Sequence, residues 1–95
     1  MRINLPKLFD KTYLDTTLKP LDLKNKPISY LILNMKEVQF LDSTALGYLV
    51  SLYKHFKDKF VILNPNETQK ILFEITKLDK IFNIVEGESN NVWNR

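Results

Sequence analysis

An aspartate, a serine and a threonine stand in a row at Asp42-Ser43-Thr44, and an apolar stretch begins directly behind them. That order marks a helix entrance. The first backbone N–H groups of a helix have no intrahelical acceptor, and they carry the positive end of its dipole. Two chemistries suit such a place. Asp42 or Ser43 can cap the helix by accepting one of those N–H groups. A serine hydroxyl can instead carry a phosphoryl group, whose charge of about −1.5 to −2 is tolerated where N–H donors and a positive dipole meet it. From these three residues alone the cap is the ordinary reading, and both stay open.

Other chemistries lack their residues. The chain has one histidine, His55, and no cysteine, so a histidine metal cluster, a Ser-His-Asp triad and thiolate catalysis are not available. Two glycines cannot build a phosphate-cradling loop. The acids Asp10, Asp15, Asp22, Glu37, Asp42 and Asp58 are not spaced as a catalytic pair. The expectation is no catalytic residue, no cofactor, no metal and no enzyme. The net charge of +3 comes from lysines scattered between Lys7 and Lys80. The tightest group, Lys54, Lys57 and Lys59, falls where cations complement a helix C-terminus, so direct nucleic-acid binding is not expected. No apolar run approaches the roughly 18 residues of a membrane span, and the N-terminus lacks a signal-peptide core. The expected place is the cytoplasm, without membrane insertion.

The elements that position Ser43 follow from periodicity. Ninety-five residues, 44% of them hydrophobic, suit one domain with one core. Residues 29–35, apolar without a break from Tyr30 to Leu33, read as a strand buried on both faces of a parallel sheet. Leu46, Leu49, Val50, Tyr53 and Phe56 recur at helical spacing and mark the expected core face of a helix reaching Phe56. Its outer face then reads Thr44, Gly47, Tyr48, Ser51, Leu52 and His55. Gly47 costs a helix about 1 kcal/mol relative to alanine, and close approach of another body is the usual compensation. Tyr48 and Leu52 would make an apolar spot beside Ser43, of a kind found at interface centres.

Phe60-Val61-Ile62-Leu63 reads as a second buried strand, Asn64-Pro65-Asn66-Glu67 as a turn, and Ile71, Leu72, Ile75 and Leu78 as the apolar stripe of the next helix. Asn83-Ile84-Val85 is a third short strand. Before residue 29 the signals are poor. Ile3, Leu5 and Leu8 suggest a strand limited by Pro6, and residues 11–23 suggest one irregular helix weakened by Thr16, Thr17 and Pro20. Residues 86–95 read as a tail or a short helix, with Val92 and Trp93 its only apolar members. Alternating strands and helices predict an α/β fold with right-handed crossovers: a mainly parallel sheet of about four strands, helices mostly on one face.

The run Leu33-Asn34-Met35-Lys36-Glu37-Val38-Gln39-Phe40-Leu41-Asp42-Ser43-Thr44-Ala45-Leu46-Gly47 closely resembles the signature of STAS domains, the sulphate-transporter and anti-sigma-factor-antagonist fold. The later Asn-Pro turn and Leu78-Asp79-Lys80-Ile81-Phe82 resemble it too. The resemblance covers residues 29–85, with 1–28 a shortened N-terminal part of the single domain 1–95. It implies a regulatory protein-binding module that binds a serine-kinase anti-sigma factor. It further implies that phosphorylation of Ser43 switches the module off and that a phosphatase resets it, ATP belonging to the kinase. The implied partner-binding residues are Asp42, Ser43 and Thr44, joined by Gly47, Tyr48 and Leu52 from the helix face.

Family members also carry an acid near the end of their second strand, for which Asp10 is the nearest candidate. Two departures stand out. Thr44-Ala45 replaces the usual serine-glycine. Twenty-eight residues look too few for the two strands and helix that normally precede the signature, so the first strand is expected to be shortened or missing. A bare sheet edge would invite a homodimer. The alternatives are a STAS subunit of a lipid-transport ATPase, a stress-sensing scaffold, or a small-ligand-binding domain.

Overall fold

The computed structural model of the protein describes residues 1–87; Val92 and Trp93 lie outside them. Among the described residues six strands and three α-helices follow one another in the order β1 (Arg2–Asn4), β2 (Leu8–Phe9), α1 (Lys11–Tyr13), β3 (Leu31–Asn34), β4 (Phe40–Leu41), α2 (Ser43–Phe56), β5 (Phe60–Leu63), α3 (Glu67–Ile75) and β6 (Asn83–Val85). Four strands form an all-parallel sheet in the order β1-β3-β5-β6, and β2 and β4 form a separate parallel ladder. This is the expected α/β sheet.

The two central strands, β3 and β5, form where the sequence is apolar on successive residues. All of β5 is buried: Phe60 and Ile62 enter the main core, and Val61 and Leu63 are covered outside that cluster. Neighbouring β3 contributes Leu31 and Leu33 to the core. The core also holds Ala45, Leu49, Leu52 and Phe56 of α2 and Phe73 of α3. Phe82 meets Tyr53, Phe60 and Phe73 edge-on at centroid distances of 6.1, 5.8 and 5.4 Å, a geometry favoured by ring quadrupoles.

The N-terminal part is compressed rather than incomplete. Twenty-eight residues do hold two strands and a helical segment, because β1 spans three residues and β2 two. After Lys11–Tyr13 the chain continues as a π-turn, Leu14–Leu18, and a 3-10 turn, Lys19–Leu21. The Thr16 hydroxyl donates back to the Thr12 carbonyl at 2.8 Å, the local competition that unsettles helices at threonine. β1 covers the edge of β3 that was expected to be bare. Asn34 reinforces the pairing by donating to Asn4 Oδ1 at 3.0 Å.

Two helix faces differ from the periodicity reading. α2 turns Ala45, Leu49, Leu52 and Phe56 fully inward, and Leu46, Val50 and Tyr53 are only half-buried. α3 buries Gln69 and Phe73, while Ile71 is 53% and Ile75 74% exposed. In both helices apolar residues occupy a wide arc, so more than one phase satisfies the pattern. The neighbouring elements choose. On α2 the 3-10 turn Leu23–Asn25 packs alongside, and Lys24 Nζ reaches Ser51 Oγ at 2.6 Å.

Candidate functional site

The ladder of β2 and β4 brings two helix entrances side by side. Phe9 pairs with Leu41. The residue after each strand, Asp10 or Asp42, is extended and caps the helix behind it. Asp10 Oδ1 accepts from the Tyr13 N–H at 3.0 Å. Asp42 does more. Its Oδ1 accepts from Ala45 N–H at 2.8 Å, and its Oδ2 accepts from Lys11 N–H at 3.0 Å, so one carboxylate starts α2 and fastens it to α1. The acid anticipated at the end of the second strand, Asp10, therefore stands level with the motif aspartate.

With the cap supplied by Asp42, Ser43 is released from that duty. It is the first residue of α2, it is exposed, and its hydroxyl has no hydrogen-bond partner among the described residues. The alternative in which Ser43 only caps the helix has lost its basis. Thr44 is exposed beside it. One turn on, Gly47 faces open space: a Cβ there would meet nothing within 4 Å. No close approach within the described chain accounts for this glycine. Tyr48 is half-buried against the core, and burial, then the charge of Asp22, pushes its hydroxyl pKa up.

Leu52 is not part of this surface. Its exposure is 0%, and it belongs to the core with Leu49 and Phe56. The sequence pattern places it outward because Leu46 and Val50 fill the inward phase equally well. The structure thus brings Asp42, Ser43, Thr44, Gly47 and Tyr48 together and removes Leu52.

Sequence reasoning passed over Leu8 and Phe40. They are register partners in the ladder, 60% and 52% exposed, just ahead of the two capping aspartates. Phe40 also lines a cleft of about 230 Å³ shared with Gln39, Leu41, Asn66, Thr68, Gln69 and Leu72. The available signal was Gln39-Phe40-Leu41, where only one of two adjacent apolar residues can face inward on a strand. α3 closes the other wall with a reciprocal cap: Asn66 Oδ1 accepts from Gln69 N–H at 2.8 Å, and Gln69 Oε1 from Asn66 N–H at 2.9 Å. Buried Gln69 then donates to the Val38 carbonyl at 3.0 Å, tying α3 to the loop before β4.

Among the described residues no group of acids and histidine is placed to hold a metal ion, and no helix is long and apolar enough to cross a membrane. His55 is exposed on α2. Chemically, the site offers a free hydroxyl at the positive end of a 14-residue helix.

The profile of the STAS domain matches residues 7–90. A Thermotoga neapolitana protein, named provisionally as a homologue of an anti-sigma factor antagonist, is 31% identical over 65 residues. The match takes in 65% of this chain and 58% of that relative's length.

Proposed function

The chain belongs to the STAS domain family, and on that premise we propose that it is a non-enzymatic regulator, an anti-sigma-factor antagonist switched at Ser43. Unmodified, it binds a serine-kinase anti-sigma factor in the cytoplasm through Asp42, Ser43, Thr44, Gly47 and Tyr48, and so frees a sigma factor for transcription. The kinase transfers the γ-phosphoryl group of its ATP to Ser43 Oγ: the new P–O bond forms as the bond to ADP breaks, and the hydroxyl proton leaves to a base of the kinase. The phosphorylated chain loses affinity, and a phosphatase hydrolyses the ester to reset it.

One observation carries this reading: the motif serine is exposed and unbonded because its neighbour Asp42 provides the cap. The fold does not need the hydroxyl, so the hydroxyl can be modified without unfolding the helix. The added charge appears beside Asp42 on a surface that must dock, where like charge and bulk oppose association.

The test is incubation with candidate serine-kinase anti-sigma proteins and ATP, followed by intact mass and mapping. A single phosphoryl addition at Ser43, abolished by Ser43→Ala, supports the reading. Addition at Thr44 instead, or none with any such kinase, overturns it.

A further inference from the structure

Lys11 and Ser43 hold the same place in two neighbouring strand–aspartate–helix units. With Phe9 opposite Leu41, the next positions are Asp10 and Asp42, and the next are Lys11 and Ser43, each the first residue of its helix. The units are joined at this level by the bond from Lys11 N–H to Asp42 Oδ2. Paired strands run about 4.8 Å apart, a gap that a lysine side chain can span.

The Lys11 ammonium now pairs with Asp15 Oδ2 at 2.7 Å, on an exposed surface. Asp15 does not depend on that contact alone, because Lys19 Nζ lies 3.3 Å from its other oxygen. Lys11 can therefore leave without stranding a carboxylate. A phosphoryl group on Ser43 would have two carboxylates as neighbours, Asp10 and Asp42. Both accept backbone N–H groups and are held in place. The other cation of this ladder, Lys7, precedes β2 at its opposite end.

We propose that Lys11 is the counter-ion of phosphorylated Ser43: its ammonium moves from Asp15 to the phosphoryl oxygens, while Lys19 keeps Asp15. The inference rests on the reading of Ser43 as a phosphosite and adds how the modified state is held. The phosphoryl group is gripped between the entrance of α2 and the Lys11 side chain, and part of the repulsion from Asp10 and Asp42 is offset. A nearby cation favours the dianion, so the second ionisation of the phosphate moves to lower pH.

The experiment needs no kinase. Phosphoserine is inserted at position 43 of the full chain during synthesis, and the phosphate is titrated by phosphorus NMR at low salt. Its second ionisation, near pH 6 for an unperturbed phosphoserine, should move up by about 0.3–0.7 units in Lys11→Gln, the scale of an exposed ion pair. Lys11→Arg should titrate as the native lysine does, Lys7→Gln should leave the curve in place, and Lys19→Gln should shift it upward by less than Lys11→Gln does, because Asp15 then competes for Lys11. Raising the salt should shrink the difference between the native lysine and Lys11→Gln as the pair is screened. Superposed curves for Lys11→Gln and the native lysine overturn the proposal, as does an equal shift from Lys7→Gln, which would mean only a general field. Kinase labelling at another residue would sink the switch and leave this titration standing; a flat titration would sink the counter-ion and leave the switch standing.

Discussion

α2 and α3 both begin behind a buried or half-buried strand with a side-chain cap, yet one entrance is open and the other is closed. At α3, Asn66 and Gln69 satisfy each other's backbone reciprocally, and the Gln69 amide is spent on the Val38 carbonyl. Every polar atom named there works for the fold. At α2 a single aspartate caps the helix and bridges to α1, and the following serine and threonine are exposed, with a glycine in open space one turn away. Where the fold has used all its polar groups, a residue is structural. Where it leaves a hydroxyl free at a positive helix end, the residue is available for chemistry with something else.

That contrast can be broken by substitution. The largest effect is expected inside α2 rather than on its surface. Leu52→Ala empties a fully buried position and should cost about 2–5 kcal/mol of stability, read by chemical denaturation. A variant as stable as the native chain would put Leu52 back on the outer face. Next comes the closed entrance. Gln69→Ala leaves Val38 C=O with only a long 3.4 Å contact from Asn66 and removes the acceptor of Asn66 N–H. It should cost about 1–3 kcal/mol. If partner affinity falls and stability does not, the closed entrance is a binding site after all.

The open entrance should behave in the opposite way. Gly47→Ala has room for its methyl within the described chain and should stabilise the protein by about 0.5–1 kcal/mol, while weakening the partner complex that needs close approach there. A gain in stability with unchanged affinity would remove Gly47 from the docking surface. Ser43→Ala should be the quietest of all, changing stability by less than about 0.5 kcal/mol because Asp42, not Ser43, makes the cap. A larger loss in a melt would show that the hydroxyl serves the fold.

The parts of this fold written most clearly in the sequence are those set by continuous apolar runs. β5 is buried along its whole length and β3 at three of its four positions, as strands covered on both faces of a parallel sheet are. The entrance of α2 was equally plain, since Asp42 and Ser43 are both N-cap residues by type, although only the structure shows that Asp42 makes the cap. Helix phase was not. In α2 both Leu46-Val50-Tyr53 and Ala45-Leu49-Leu52 make acceptable stripes. What decides is the N-terminal segment lying against the helix, a contact between residues 27 apart such as Lys24 and Ser51. In α3 the buried positions include a glutamine, whose burial depends on a carbonyl 31 residues away in sequence. No local pattern predicts that partner. The ladder that sets Leu8 beside Phe40, and Asp10 beside Asp42, is likewise a long-range pairing of two very short strands, below the length at which alternation can be read.

The central claim is that the entrance of α2 is a docking surface governed by the state of Ser43. Its most direct test is calorimetric titration of the serine-kinase partner with two forms of the full chain, unmodified and phosphorylated at position 43. The unmodified form should bind, and the phosphorylated form should bind at least about tenfold more weakly, a difference of about 1.4 kcal/mol. Equal affinities for the two forms would contradict the account.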